Sequence, residues 1–148
     1  MNGIFASIFL ALIAATLCWE FPGHPGTDCP TTLKIMSEDP ERRWMLPKCE
    51  DDGTFTAMQC FPGTTACMCV AADGSPLTLP GFVNVTACEC FTEYYKMWLK
   101  DENSPVLPRC ADDGTFKPLQ CDKATGLCWC VDKTGHVLTK PSKDTKSC

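Results

Sequence analysis

The residues of this chain that could do chemistry are its thirteen cysteines, twelve of which fall into two sets with the same spacing. The first set begins at Cys29 and the second at Cys90, at a constant offset except for the last member. Thiols at regular spacing form disulfides, bind metal ions or act as nucleophiles. The repetition indicates a duplicated module in which the cysteines have one role. The twelve cysteines are Cys29, Cys49, Cys60, Cys67, Cys69, Cys88, Cys90, Cys110, Cys121, Cys128, Cys130 and Cys148.

The N-terminal residues indicate which chemistry the cysteines perform. Residues 4–17 form an apolar run that is too short to span a bilayer and typical of a signal-peptide core. We expect residues 1–18 to be a signal peptide cut after Cys18, which leaves an even number of cysteines. A cut after Ala15 would instead leave Cys18 as a free or intermolecular thiol. The mature chain is then secreted and extracellular, where regularly spaced cysteines form disulfides.

Metal binding and catalysis fit the sequence less well. The pairs Cys67–Cys69 and Cys128–Cys130 are closer in sequence than the ligand pairs of structural zinc sites, so we expect no metal and no cofactor. The chain has two histidines and lacks the motifs of metalloproteases, serine hydrolases and phosphate-binding loops. With its cysteines paired it has no thiolate nucleophile, and we expect no enzymatic activity. Its charge pattern gives no support for nucleic-acid binding.

The cysteine pattern also divides the chain. Residues 19–28 form a lead-in rich in proline and glycine, residues 29–88 a first module and residues 90–148 a second. Only Glu89 separates the modules, so we expect a fixed relative orientation. A module of about 60 residues buries little apolar surface, and its disulfides are expected to supply much of its stability.

Each module is predicted to begin with a short helix. In module one, Pro30 suits a first helical turn, Met36 lies on its apolar side and Pro40 ends it. In module two, Thr92 is a candidate helix cap. The helical face of module two consists of Phe91, Tyr94, Tyr95, Trp98 and Leu99.

The middle of each module is predicted to be a β-hairpin. In module two, residues 113–114 are a tight-turn signal, and the strand that follows runs over residues 115–121. Pro118 places this strand at a sheet edge. A second turn follows at residues 134–135. Module one has the corresponding signals, so the expected fold class is small, disulfide-rich α+β: a short helix, a small antiparallel sheet and long loops per module.

Module two resembles the thyroglobulin type-1 domain. The residues that carry the resemblance are Pro108-Arg109-Cys110, Gln120-Cys121 and Cys128-Trp129-Cys130-Val131. Module one looks like a divergent copy, which keeps Gln59-Cys60 but has Met68 in place of the tryptophan and Thr65 in place of Gly126. The resemblance covers residues 29–148. We expect Trp129 to be a core residue packed against disulfides. Its replacement by Met68 in module one fits this expectation, because methionine fills irregular apolar gaps.

The resemblance implies the disulfide pairing and a function. The pairs it implies are Cys29–Cys49, Cys60–Cys67, Cys69–Cys88, Cys90–Cys110, Cys121–Cys128 and Cys130–Cys148. Several members of the family inhibit papain-like cysteine proteases by inserting disulfide-held loops into the active-site cleft as a wedge. We therefore expect a secreted, reversible inhibitor of a cathepsin L type protease, monomeric and without a membrane span. The alternatives are inhibition of aspartic or serine proteases through module one, and a protein-binding or venom-type module without inhibition.

Three loops of each module are candidates for the contact with a protease. The first lies within the first disulfide, the second is the ring closed by the second disulfide, and the third is the turn after Val70 or Val131. In module two, Val106 and Leu107 either fill a hydrophobic subsite or pack on their own core. The candidate residues of module two are Ser104, Val106, Leu107, Thr125 and Gly126.

The first loop of module one contains Arg42, Arg43 and Trp44. Three interpretations stay open: an inhibitory loop for a trypsin-like or cysteine protease, a dibasic processing site, or a solvated loop with Trp44 packed inward. Separately, Asn84 begins an N-x-T sequon and is a candidate for glycosylation at the surface.

Overall fold

The computed structural model describes residues 28–42, 46–81 and 84–148. The predicted signal peptide, Cys18 and residues 19–27 of the lead-in lie outside these residues. The fold class is confirmed as a small, disulfide-rich fold with short helices and antiparallel sheets. The elements in chain order are α1 (Cys29–Glu38), a 3₁₀ turn (Pro40–Arg42), β1 (Met58–Cys60), β2 (Cys67–Cys69), α2 (Glu89–Lys100), β3 (Leu119–Cys121) and β4 (Cys128–Cys130).

Helix α1 begins at a side-chain cap. The carboxylate of Asp28 accepts a hydrogen bond from the Thr31 N–H (2.8 Å), which satisfies one of the free amides of the first turn. Thr32 and Met36 are buried on its inner face. The helix ends at Glu38, because the residue that precedes Pro40 is disfavoured in helical conformation.

Helix α2 begins earlier than its apolar periodicity predicts, and the prediction that Thr92 caps it is wrong. The cap position is held by Cys88, which makes no side-chain capping bond. Thr92 lies inside the helix, where its hydroxyl donates to the Glu89 carbonyl oxygen (2.9 Å). The half-cystines Cys88 and Cys90 anchor this helix start covalently, and the Cys90 N–H donates to the Gly114 carbonyl oxygen (3.4 Å) where a side-chain cap is lacking.

The predicted aspartate–glycine turns and antiparallel hairpins are both present, but the paired strands are shorter than expected and these turns do not connect them. β1 pairs with β2 and β3 with β4, each over three residues, and the connecting turn is the small disulfide ring. The aspartate–glycine turn of module two closes only the isolated bridge Cys110↔Phe116. Pro118 follows this bridge, and the ladder is interrupted there as it is at the equivalent Ala57 of module one, so the proline is not what interrupts it.

A glutamine side chain takes the place of the missing ladder rung. The Gln120 Oε1 accepts from the Arg109 N–H (2.8 Å), and its Nε2 donates to the Arg109 carbonyl (2.9 Å), as a strand peptide would. Gln59 makes the same two bonds to Lys48 in module one. Both glutamines are buried. Gln59 and Gln120, which precede the cysteines of β1 and β3, are therefore structural parts of their sheets.

Six disulfides join the cysteines in order, which is the pairing that the resemblance implies. The bonds are Cys29–Cys49, Cys60–Cys67, Cys69–Cys88, Cys90–Cys110, Cys121–Cys128 and Cys130–Cys148. In module one they surround a core cluster that contains Met36, Phe55, Met68 and Val70.

Trp129 does not take the place that Met68 has in this core. Met68 is fully buried, whereas Trp129 is half-buried, so the prediction of a core tryptophan is wrong in degree. The two residues occupy equivalent register positions, opposite Gln59 and Gln120. The indole is the larger side chain, and tryptophans commonly keep part of their surface exposed.

The two modules touch directly. The N–H groups of Thr86 and Ala87 both donate to the carbonyl oxygen of Asp113, at 2.9 and 3.1 Å. Phe91 of α2 packs against the cluster of Cys69, Val85 and Cys88. The end of module one is thus bonded to a turn of module two.

Candidate functional site

Backbone hydrogen bonds define two ends of module two. The turns at residues 112–114 and 132–136 lie together at one end, because the Phe116 N–H donates to the Lys133 carbonyl oxygen (3.0 Å). This end also carries the bonds to module one, and we call it the junction end. From Phe116 the chain runs through β3 to the ring at Cys121, on the order of 15 Å away at strand spacing. We call the ring side the distal end.

The first loop and the ring of module two meet at the distal end. The Lys123 N–H of the ring donates to the Pro105 carbonyl oxygen of the first loop (2.9 Å). A third segment joins them, since Ser142 and Cys128 exchange two backbone hydrogen bonds of 2.9 and 3.0 Å. The structure therefore places the segment of Ser104, Val106 and Leu107 beside the ring that carries Thr125 and Gly126.

The third candidate loop is not part of this arrangement. The turn after Val131 lies at the junction end, where Gly135 packs against the ring of Phe116. Of the three candidate loops, the first loop and the ring thus lie together at the distal end, and the turn after Val131 lies at the opposite end.

The ring of module two is held by its own hydrogen bonds. The disulfide Cys121–Cys128 brings the two Cα atoms to 4.1 Å. Within it, the Asp122 carboxylate accepts from the Ala124 N–H (2.8 Å) and from the Thr125 hydroxyl (2.6 Å). The Asp122 carbonyl oxygen accepts from the Gly126 N–H (2.8 Å). A tip with this many internal bonds has little freedom left to lose when a partner binds.

The same bonds set the electrostatics of the ring. The hydrogen bond from the Thr125 side chain, followed by that from the Ala124 N–H, holds the pKa of Asp122 below its ordinary value of 3.8. The carboxylate is therefore ionised at neutral and at mildly acidic pH. Four other turn or cap aspartates have a lowered pKa, in each case first because of a threonine side chain: Asp28, Asp52, Asp113 and Asp132.

The first loop presents one apolar side chain and withdraws another. Ser104 donates its N–H to the Asp101 carbonyl oxygen (3.1 Å), and the Asp101 carboxylate accepts from Asn103 (3.0 Å), which shapes the turn after α2. Val106 is 38% exposed, while Leu107 is half-buried. Of the two alternatives for this pair, Val106 fits the contact with a partner and Leu107 fits packing on its own module.

The candidate loop of module one is described only in part. Arg43 and Trp44 lie outside the described residues, and Arg42 is the last residue of the 3₁₀ turn, with no description of its side chain. The three interpretations of this loop therefore stay open.

The ring of module one has a different tip. Its first residue is Phe61, which packs against the core cluster, in place of the carboxylate at Asp122. The Thr64 hydroxyl donates to the Phe61 carbonyl oxygen (3.1 Å) and accepts from the Ala66 N–H (3.1 Å). The two modules therefore present chemically different rings, which supports different partners for the two.

Sequence reasoning missed a groove between the modules. It has a volume of about 360 Å³. Phe55 and Val70 of module one line one wall, and Tyr95 and Leu99 of α2 line the other. The signal in the sequence was the apolar face of α2. Cys90 is the only fully buried residue of this helix, so most of the apolar face lines the groove or is exposed to solvent.

Residues 28–42, 46–81 and 84–148 contain no cluster suited to a metal ion and no helix suited to a membrane span. Within these ranges, no group of three or more histidine, cysteine or acidic side chains is placed to hold a metal ion. Neither helix of this part of the chain is long and apolar enough to cross a membrane. The twelve cysteines of the repeat are all in disulfides.

Comparisons with known proteins agree with the duplicated architecture. The family model "Thyroglobulin type-1 repeat" matches residues 30–84 and 92–148. U20-hexatoxin-Hi1a of Hadronyche infensa is 30% identical over 106 residues, which are 70% of this chain and 72% of the toxin. Human thyroglobulin (Homo sapiens) is 32% identical over an alignment of 157 positions, gaps included, that covers 92% of this chain but 6% of thyroglobulin. U24-ctenitoxin-Pn1a of Phoneutria nigriventer is 24% identical over 124 residues, 84% of this chain and 96% of the toxin.

Proposed function

Because the chain belongs to the thyroglobulin type-1 repeat family, we propose that it is a secreted, reversible inhibitor of papain-like cysteine proteases. The family occurs in protease inhibitors. The observation that carries the proposal is the distal end of module two, where the first loop and the ring are bonded to each other. In this proposal the two loops enter the active-site cleft together as a wedge.

Preorganisation of the distal end favours inhibition. An inhibitor has to fill a cleft without being cut, and a rigid backbone at its tip resists the rearrangement that cleavage requires. The Cys121–Cys128 ring and its internal hydrogen bonds oppose such a rearrangement, and they lower the ordering cost of binding. Val106 supplies an exposed apolar contact beside the ring. Since 38% of this side chain is exposed, its burial in a protease subsite would contribute roughly 0.5–1 kcal/mol.

Secretion is the second part of the proposal. Six disulfides in so short a chain are typical of proteins in oxidising compartments. The apolar run at residues 4–17 is the proposed signal-peptide core. N-terminal sequencing of the protein released by eukaryotic cells tests this part directly, and retention inside the cells would contradict it.

The experiment that tests inhibition compares two valines on opposite ends of module two. Papain and a cathepsin L type enzyme are titrated with the refolded protein, with Val106→Asp and with Val137→Asp. Val137 is 54% exposed and lies next to the turn of the junction end, so it is a matched control for a surface charge. We expect tight, stoichiometric inhibition, an inhibition constant raised at least about tenfold by Val106→Asp, and no change from Val137→Asp.

Two results would overturn this assignment. One is the absence of inhibition at micromolar protein whose six disulfides have been mapped. The other is an equal effect of the two aspartate variants on the inhibition constant, which would show that inhibition does not depend on the distal loops. A panel of aspartic and serine proteases, with the same variants, then tests whether module one has a separate specificity.

The alternative function is a secreted protein-binding or venom-type module that does not inhibit a protease. The likeness to two proteins named as toxins favours it, since this chain covers most of the length of each. The inter-module groove also offers an apolar surface for a partner. An inhibitor survives long incubation with its protease and titrates it stoichiometrically, whereas a module of this second kind does neither.

A further inference from the structure

The sequon Asn84-Val85-Thr86 lies where module one meets module two. It falls inside the loop closed by the disulfide Cys69–Cys88. Asn84 is exposed, so a group attached to its side chain would point to solvent. Val85 is only 5% exposed and packs in the cluster of Cys69 and Cys88.

The third residue of the sequon is bonded to the other module. The Thr86 N–H donates to the Asp113 carbonyl oxygen (2.9 Å), and the Thr86 hydroxyl lies 3.5 Å from the same oxygen. The Ala87 N–H makes a further bond to this oxygen (3.1 Å). Glycosyl transfer to asparagine requires access to the asparagine amide and to the hydroxyl two residues later. In the folded protein the side chains of Asn84 and Thr86 are both exposed, but the backbone at residues 86–87 is held against module two, so the segment is not free to adapt to a transferase.

We propose that Asn84 is N-glycosylated and that the sugar is transferred before the Asp113 turn docks onto residues 86–87. The donor is an oligosaccharide linked through pyrophosphate to a polyprenol lipid. The Asn84 amide nitrogen forms a bond to the anomeric carbon, the bond from that carbon to the pyrophosphate oxygen breaks, and the lipid pyrophosphate leaves with its electron pair. The amide gives up one proton to a base of the transferase.

The order of events follows from the position of the sequon in the chain. Asn84 leaves the ribosome before Asp113, so the sequon exists for a time without the turn that later holds it. Once the turn is in place, Val85 is buried and Thr86 is bonded. The finished glycan sits at the edge of the junction, on a residue whose side chain stays exposed. This inference rests on the secretion part of the proposed function and is independent of protease inhibition.

The first arm of the test asks whether Asn84 is modified. The full chain is expressed in eukaryotic cells and its mass is measured before and after removal of N-glycans by an amidase. We expect a glycan on the wild type and none on Asn84→Gln or Thr86→Val. The valine variant is the sharper control, because it keeps the backbone N–H that donates to Asp113 and removes only the hydroxyl. A secreted wild-type protein without a glycan at Asn84 would overturn the proposal.

The second arm asks when the transfer occurs, and it does not depend on secretion. Unglycosylated chain made in bacteria is presented to a solubilised oligosaccharyltransferase and lipid-linked oligosaccharide, either folded or reduced and alkylated. We expect the reduced chain to be glycosylated at least about tenfold faster. Equal rates for the two forms would overturn the proposed order, and failure of the reduced chain to accept sugar would overturn the site. Failure of secretion in the first arm, with transfer in the second, would instead contradict only the proposed function.

A pair of glycine variants separates the junction from general unfolding. A Cβ atom at Gly114 would lie 1.8 Å from the Ala87 carbonyl oxygen, so Gly114→Ala forces the junction open. Gly53→Ala places the same substitution in the equivalent turn of module one. We expect folded Gly114→Ala to accept sugar faster than folded wild type and folded Gly53→Ala. Equal rates of sugar transfer to the two folded variants would show that the junction does not limit the transfer. The comparison of folded with reduced wild type is still informative if neither variant folds.

Discussion

Replacing Gly114 with alanine tests the contact between the modules against a control inside the same chain. Gly114 and Gly53 occupy equivalent aspartate–glycine turns with φ of 86° and 85°, so an alanine is strained by the backbone equally at both. A Cβ atom at Gly114 would lie 1.8 Å from the Ala87 carbonyl oxygen and 2.8 Å from its carbon. At Gly53 the nearest atom among the described residues is Cδ of Pro30, at 3.9 Å.

The magnitude follows from these contacts. Alanine in the left-handed region costs about 1–2 kcal/mol at either position. At Gly114 the neighbouring backbone also has to move away, which breaks the hydrogen bonds from Thr86 and Ala87 to Asp113. At about 0.5–1.5 kcal/mol each, these two bonds add roughly 1–3 kcal/mol to the cost of Gly114→Ala alone.

Hydrogen exchange measured by NMR on the folded, disulfide-intact protein reports this difference locally. The amides of Thr86 and Ala87 should exchange about 5- to 150-fold faster in Gly114→Ala than in Gly53→Ala, which is the same free energy expressed as an opening equilibrium. Equal protection of these two amides in both variants would refute the reasoning, because the clash with Ala87 would then have no consequence. Unchanged protection in Gly114→Ala relative to wild type would refute it as well.

Three further outcomes are expected. Gly74→Ala should lower the free energy of unfolding more than Gly135→Ala. Each new Cβ atom would lie within 2.9 Å of a phenylalanine ring, but the ring of Phe55 is buried in the core, whereas the ring of Phe116 is half-buried. Equal losses in urea titrations would contradict this. Gln120→Leu should cost about 3 kcal/mol in the same assay, since it leaves the Arg109 N–H and the Lys117 carbonyl oxygen unpaired, while the Arg109 carbonyl oxygen keeps its bond from the Lys117 N–H; a neutral result would show that these two groups find other partners. The five aspartates with a lowered pKa contribute stability that is fully present at pH values above their ordinary pKa of 3.8 and is lost as the pH falls through their lowered pKa values. A urea midpoint that is constant from pH 5 to pH 2 would contradict this.

Much of the fold follows from short-range patterns in the sequence. The duplicated cysteine spacing, Pro30 near the start of α1 and the end of that helix before Pro40 are all local signals. The aspartate–glycine turns also appear where the sequence predicts them, with positive φ at both glycines. Such features depend on the conformational preferences of a few adjacent residues, and a sequence shows these directly.

The errors arose where a distant residue overrides the local preference. Thr92 is a good capping residue by type, but α2 begins earlier, at Glu89, where the Cys90 N–H is bonded to the distant Gly114 carbonyl oxygen. The hairpin strands are short because the Gln120 side chain replaces a rung of the ladder, which pattern reading assigns to backbone. The exposure of Trp129 depends on how much space the other elements of module two enclose, and no local pattern contains that information.

For the candidate site, the sequence supplied the residues and the tertiary structure supplied their grouping. The sequence by itself determined the disulfide-rich class, the two copies and the loops that carry Val106, Thr125 and Gly126. Only the tertiary structure decided that the first loop and the ring share one end of module two, that the turn after Val131 lies at the other, and that module one is bonded to the Asp113 turn. The physical reason is that these groupings depend on hydrogen bonds between backbone atoms far apart in sequence, which form only when the strands are in register and the modules are docked.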